Sequence, residues 1–527
     1  MAYLYFSISN SVTQEEWTKV YEETLVLANK IYLTDWEKFY YKGVGAYAFC
    51  KVKEHTNKYF GEKTHFWQAS SDYNYMNTGD IFRLKREIDN YDENAAPAIL
   101  EQLYLSPDVR SKIYENQIRQ RGLRIYGDTY YIRLLAILCF MESKLKEKIF
   151  ICGDFDREDC EKAVKIVNNI LDEQIELPAR CDFNRLYSIV RKTDISEEEK
   201  IYLMEKTYLG NINFYYKELI EEKFGRETLN NFWKYRFKEY EIGSYNFQQA
   251  LEAYFSYGLA FKDLIKYIQL NNTKEDYLKL LKSIIEAENN RDRYSRNVGI
   301  SRDPKNNIVH GFSLGFSHSL FGPDTTDSFI FIKFTIDDYI NELSKYFDSQ
   351  IDIRNFLLEN IKEEDEVSFE NRLRECCHKD SYVIFDGEKD YDIFLPQDLI
   401  YYKIGDRIAP YLLDKIQNVG ENIKNKLEDK EFKEISQKET TDQIYELIDI
   451  DYQFPARDID WVHAIDYFNT HSDALERYYP LFRMQPELIS PAEEITKAIF
   501  INDAFYDFCK NLWLSVRNNQ EKVPAKA

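Results

Sequence analysis

The spacing of hydrophobic positions changes once within the first thirty residues, and the change separates two elements. Residues 3–8 alternate weakly, as a half-buried strand does. From Thr13 the period lengthens. Trp17, Val20, Tyr21, Thr24, Leu27, Ala28 and Ile31 recur at helical spacing and mark one buried face. Thr13 with Glu16 is a capping-box pair, in which each side chain satisfies the other residue's free backbone N–H. Runs 44–53 and 64–71 read as strands, with Gly43 and Gly45 as punctuation, and helical patterns are predicted near 79–90, 95–104 and 129–146. A short apolar strand over 148–152 ends at Gly153. A helix over 157–172 follows, with Cys160, Ala163, Val164, Val167, Ile170 and Leu171 on its buried face.

Beyond Pro178 nearly everything to about 300 reads as helix. Ser196 with Glu199 is a second capping box, and Thr273 with Asp276 an acidic variant. Residues 287–307 are polar and read as a linker or exposed loop. The next stretch, 308–334, is rich in Gly, Ser and Phe and ends in a β-like run over 328–334. Thr335 then caps a helix, and 380–395 read as a hairpin turning at Asp386 and Gly387. The last helix has a strong start signal: Ser490 as cap, Pro491 in the first helical position, and Glu493 and Glu494 at the positive end of the dipole. Ile495, Ile499, Asn502, Phe505, Cys509, Leu512 and Val516 form its stripe. No repeat of fixed period appears. The predicted fold is predominantly α and multi-domain, with an α+β N-terminal region over 1–182 and a helical region over 183–300. A mixed α/β segment over 301–396 holds the 308–395 stretch, and a helical C-terminal region covers 397–527.

Composition narrows the classes. The chain has 527 residues, with 44% hydrophobic positions, 18 Gly and 12 Pro. That is too apolar for intrinsic disorder and too poor in Gly and Pro for a collagen or a turn-rich all-β protein. A net charge of −22 argues against general nucleic-acid binding, which needs a basic footprint. Acidic residues interleave with Lys and Arg, as in 359–374, which reads as solvated helix surface more simply than as imitation of DNA. Eight cysteines form no CxxC pair and no zinc spacing, pointing to a reducing cytoplasm. The longest wholly apolar run, 134–141, is far below the roughly 18–20 residues a membrane helix needs, and residues 1–12 lack a secretory pattern. A soluble, cytoplasmic protein without membrane partners is expected. Aromatic residues reach 16%. Phe, Tyr, Ile, Asn and Lys codons are AT-rich, so genome composition alone yields this excess. The clusters Phe39-Tyr40-Tyr41, Phe214-Tyr215-Tyr216 and Tyr478-Tyr479-Pro480 read as helix packing before base- or peptide-stacking surfaces.

Two short motifs carry candidate chemistry. Asp154-Phe155-Asp156-Arg157-Glu158 follows a strand, where paired carboxylates can hold Mg²⁺ through oxygen. The run resembles the DxDRE segment of Toprim domains. That resemblance implies a metal-dependent nuclease, with Glu54 completing the Asp154 and Asp156 site. His55-Thr56-Asn57 stands where the family has a small-residue turn. The same residues also read as an ordinary cap, Asp156 with Asp159, and capping is the simpler reading. Lys305-Asn306-Asn307-Ile308-Val309-His310 resembles the RNxxxH element of HEPN ribonucleases. That implies metal-free RNA cleavage with His310 in acid–base chemistry, although Lys305 stands in the arginine position and gives up bidentate phosphate contact. Arg372 and His378 offer a looser second match.

His310, His318, Asp324 and Asp327 frame the Gly/Ser/Phe-rich loop as binding-site candidates, against the simpler reading of side chains bonded to nearby backbone. Cys376-Cys377-His378 reads as packing, since neighbours on a helix do not face each other. Phosphate-loop, dinucleotide, nucleophile-elbow and HExxH signatures are absent. The resulting expectation is a non-catalytic binding or regulatory component of a prokaryotic multi-protein system, acting through a protein partner and without a cofactor. The alternatives are a nuclease, using Mg²⁺ only in its Asp154/Asp156 form, and an acidic inhibitor that imitates nucleic acid.

Overall fold

In a computed structural model, the described residues are 2–9, 11–59, 62–88, 117–119, 123–125, 128–259, 261–268, 270, 273–291, 336–347, 351–360, 392–450, 454–484 and 491–520. Helices account for most of them, and the sheets are concentrated in the N-terminal part. Packing divides the chain into two units. One comprises Met1–Glu101, Tyr114–Pro178 and Ile384–Ala527, and the other Gln102–Ile113 and Ala179–Val383. The four regions read from the sequence divide the chain by local pattern, whereas these units divide it by contact.

The first unit holds two antiparallel sheets. In one, β1 (Ala2–Ser9) is central, paired with β9 (Ile149–Gly153) along one edge and with β7 (Gln117–Arg119) and β8 (Leu123–Ile125) along the other. The second sheet runs β3 (Val44–Lys51), β2 (Leu33–Tyr41), β5 (Glu62–Asp72), β4 (Glu54–Tyr59), with β6 (Thr78–Lys85) also on β5. Lys42 and Gly43 both have positive φ and close the β2–β3 hairpin as a two-residue turn, the geometry that matches strand twist. Strand alternation gives this sheet two unlike faces. Trp67, Ala69, Phe82 and Leu84 are buried on one. There Trp67 Nε1 donates to the Thr24 hydroxyl of the helix Gln14–Lys30 at 3.2 Å, and Tyr130 of the helix Asp128–Lys144 donates its hydroxyl to Ala69 O at 2.7 Å.

The C-terminal helices belong to the same unit. Val44, Ala46 and Ala48 of β3 share a core with Leu412, Ile416, Trp461, Tyr478, Phe482, Ile499 and Phe500. Polar contacts fix the docking: the Phe49 N–H donates to Ala456 O at 3.0 Å and Trp461 Nε1 to Tyr47 O at 2.8 Å. Lys42 pairs with Asp466 at 2.6 Å. Arg477, fully buried, donates to Ile499 O and to Asp503 Oδ1, and its guanidinium lies over the rings of Tyr467, Tyr478 and Tyr506. The guanidinium thereby satisfies carbonyls at the end of the helix Ala492–Ile501.

The second unit is helical throughout its described residues. Ser196, Asn213 and Ser244 each cap a helix with their side chains. Its core encloses an ion pair: Arg236 NH1 reaches both Glu205 oxygens at 2.8 Å, and the Tyr257 hydroxyl adds a bond to Glu205 at 3.2 Å. Tyr202, Phe232 and Trp233 line the guanidinium. Removing one partner of such a pair costs about 3–5 kcal/mol, because the other charge stays buried.

Several elements differ from the sequence reading. Residues 79–85 of the predicted helix near 79–90 are strand β6, since Phe82 and Leu84 pack at period two. Phe39, Tyr40 and Tyr41 lie on β2, held by register with β3, not on a helix. Tyr216, Tyr478 and Tyr479 do pack within helical cores. Pro491 is the cap residue of Ala492–Ile501, one position earlier than expected, and Ser490 lies outside the described residues. The long final helix breaks at Asn502, which is extended (φ −116°). Its side chain accepts from the Phe505 N–H at 3.0 Å, starting the helix Asp503–Gln520, and donates to Ile400 O and Tyr402 O at 3.1 and 2.9 Å. The 95–104 helix, the 328–334 strand, the Thr335 cap and the turn at Asp386 and Gly387 all lie outside the described residues. Asn502→Ala, which deletes three hydrogen bonds at once, is expected to cost about 2 kcal/mol. The check is a lower urea midpoint at an unchanged m-value.

Candidate functional site

The structure separates the three carboxylates of the Toprim-like reading. Asp154 and Asp156 follow β9 of the first sheet, whereas Glu54 opens β4 of the second. Glu54 Oε2 accepts from Arg86 at 3.0 Å, and Arg86 also holds Glu22 at 2.7 Å. Asp154 contributes its backbone carbonyl to the Tyr131 hydroxyl at 2.9 Å. Asp156 caps the helix Arg157–Asn168 in a reciprocal box with Asp159: each carboxylate accepts the other's backbone N–H, at 2.9 and 3.3 Å. Lys305, Asn306, His310, His318, Asp324 and Asp327, with Arg372, Cys376, Cys377 and His378, lie outside the described residues. The remaining six cysteines carry free thiols. Among the described residues, no helix is long and apolar enough to cross a membrane.

A different constellation sits on the second face of the larger sheet. Asp35 and Glu37 alternate along β2 and therefore share a face, and strand pairing brings His55 of β4 and Gln68 of β5 to it. His55 Nε2 is 2.9 Å from Asp35 Oδ2 and 3.6 Å from Glu37 Oε1. Asp35 is almost wholly buried, and its carboxylate accepts from the Trp36 N–H at 2.8 Å and from Gln68 Nε2 at 3.1 Å. Arg83 of β6 in turn donates to Gln68 Oε1 at 2.8 Å, which fixes the amide's orientation. Lys53 holds the other Glu37 oxygen at 2.6 Å. Burial pushes the Asp35 carboxyl above the usual aspartate range, against the opposing pull of Gln68, the Trp36 N–H and His55. Cys50, directly across from Asp35, has its thiol pushed up to about 11 by burial, so it is a protonated bystander.

These residues escaped the sequence reading because β2 and β4 did. Once β2 is a strand, the spacing of Asp35 and Glu37 is the available signal. His55, eighteen residues further on, is added only by the pairing of β4 with β5.

A third feature is apolar. Beside the short parallel pair β10 (Asp392–Ile393) and β11 (Arg407–Ile408), Ile404 stands 89% exposed at the tip of a turn. Hydrogen bonds hold the turn: the Asp406 N–H donates to Lys403 O at 3.0 Å, the Asp406 carboxylate accepts the Lys403 N–H at 2.7 Å, and Gly405 supplies φ +108°. Phe394 is 61% exposed, and the Tyr411 hydroxyl anchors the Phe394 carbonyl.

No family model, curated protein or solved structure matches the chain.

The cap at Asp156 has a direct check. Asp156→Ala is expected to cost about 1 kcal/mol in thermal unfolding, and Asp156→Ser to restore most of it, since a serine hydroxyl accepts the same Asp159 N–H bond. A metal-ligand role would leave the serine variant as impaired as the alanine one.

Proposed function

We propose that the protein is a binding or regulatory component that works through a protein partner, and that the β10–β11 segment is part of its contact surface. The carrying observation is Ile404. Leaving a large aliphatic side chain in water forgoes about 2 kcal/mol of burial, and here a hydrogen-bonded turn with a positive-φ glycine holds it outward. Nothing in the turn requires an aliphatic residue at that position. The arrangement suits insertion into an apolar pocket on another protein, the geometry of an interface anchor. Phe394, at the end of β10, and Tyr411, whose hydroxyl holds the Phe394 carbonyl, are exposed as well.

An apolar anchor gives the contact a recognisable salt response. Charge pairing weakens as salt screens it, whereas burial of Ile404 does not. Affinity capture with the full chain is expected to retain a partner at both low and high salt. Ile404→Asp is expected to reduce retention at least tenfold while leaving the melting temperature unchanged, because the side chain makes little contact within its own fold. Capture that survives in Ile404→Asp, or that disappears at high salt, contradicts the anchor.

A further inference from the structure

We propose that Asp35, Glu37 and His55 form a binding site for a divalent transition-metal ion of the zinc type. One ligand atom from each, His55 Nε2, an Asp35 oxygen and a Glu37 oxygen, lies within 4.8 Å of the others. A tetrahedral ion with bonds of about 2.0–2.2 Å separates its ligand atoms by roughly 3.3 Å. The observed separations from Nε2, 2.9 Å to Asp35 Oδ2 and 3.6 Å to Glu37 Oε1, bracket that value. These two separations need shifts of only a few tenths of an ångström, and the Asp35 and Glu37 oxygens lie within 4.8 Å of each other.

The convergence is itself informative. Both carboxylates face the same ring nitrogen, yet a single N–H can donate well to only one of them. Glu37 Oε1 is left beyond hydrogen-bonding distance of it. A cation between them would engage all three groups. The supporting contacts also suit a metal. Gln68, itself held by Arg83, and the Trp36 N–H fix the Asp35 carboxylate from behind. Such outer hydrogen bonds orient metal ligands. Lys53 engages Glu37 through Oε2, so Oε1 is available without breaking that pair. One nitrogen and two carboxylate oxygens favour zinc or manganese over magnesium or calcium, which prefer all-oxygen shells. His55 and Glu37 remain partly exposed, which admits a solvent ligand in the fourth position.

This site is independent of the Ile404 surface, and its test reads the ion alone. The full chain, stripped with chelator and dialysed, is titrated with Zn²⁺ by calorimetry and with Co²⁺ by visible absorption. One equivalent is expected to bind, and zinc is expected to raise the melting temperature, since it binds the folded state. His55→Gln and Glu37→Gln are each expected to weaken that equivalent at least tenfold and to alter the Co²⁺ spectrum. His65→Gln, whose imidazole pairs with Glu87 at 2.6 Å on the neighbouring strand, is the control and retains binding. Circular dichroism in chelator establishes that each variant is folded, and Glu37→Gln carries the test if His55→Gln is not. The proposal is overturned if the wild type takes up no zinc at 100-micromolar ion, or if both folded variants bind it as the wild type does. The first result would leave the trio as a hydrogen-bonded cluster between strands.

Discussion

The first unit depends on one docking event, the seating of the C-terminal helices against the β2–β3 hairpin. The Phe49 N–H reaches Ala456 O, Trp461 Nε1 reaches Tyr47 O, and Val44, Ala46 and Ala48 become one side of a core whose other side lies four hundred residues later. Small side chains at 46 and 48 are what let the helices approach. Without that contact β3 would leave one apolar face in water, and the helices from Pro410 onward would lose a wall of their core. Burial of Trp461 alone is worth about 3–5 kcal/mol by truncation, a large share of the 5–15 kcal/mol typical of a folded domain.

The same docking organises two charge clusters in this unit. Arg477 sits where the chain turns between the helices Ala492–Ile501 and Asp503–Gln520, and it satisfies carbonyls that the turn exposes. Asn502 secures the same corner from the backbone of residues 400 and 402. Toward the open end of the hairpin, the polar trio Asp35, Glu37 and His55 borders the apolar core, with Glu37 across from Ala48 and Asp35 across from Cys50. There Asp35 stays hydrogen-bonded and buried, while Glu37 and His55 remain partly exposed. One sheet face thus passes from helix-covered core to polar site along two strands.

How much of this could be read from the sequence follows from the range of the interactions. Helix starts set by residues three apart were legible: Thr13 with Glu16, Asp156 with Asp159 and Ser196 with Glu199 all form the expected boxes. Strand β6 and the Phe39-Tyr40-Tyr41 segment were not, because their aromatic and aliphatic positions satisfy helical spacing as well, and partner strands decide between the two. The helix break at Asn502 was hidden for the same reason, since the carbonyls that hold its side chain lie a hundred residues away. Asp35, Glu37 and His55 are joined only by register, so no local motif announces them. Of the locally conspicuous motifs, Asp156 forms a helix cap, and His310 lies outside the described residues.

The most direct measurement of the central claim, that both ends of the chain build one cooperative unit, is native-state hydrogen exchange on Trp461→Ala. The account requires the Phe49 amide and its β3 neighbours to lose protection together with amides of the helices Asp458–Thr470 and Ala492–Ile501, by the same free energy. Loss confined to the helices, with β3 as protected as in the wild type, would contradict it.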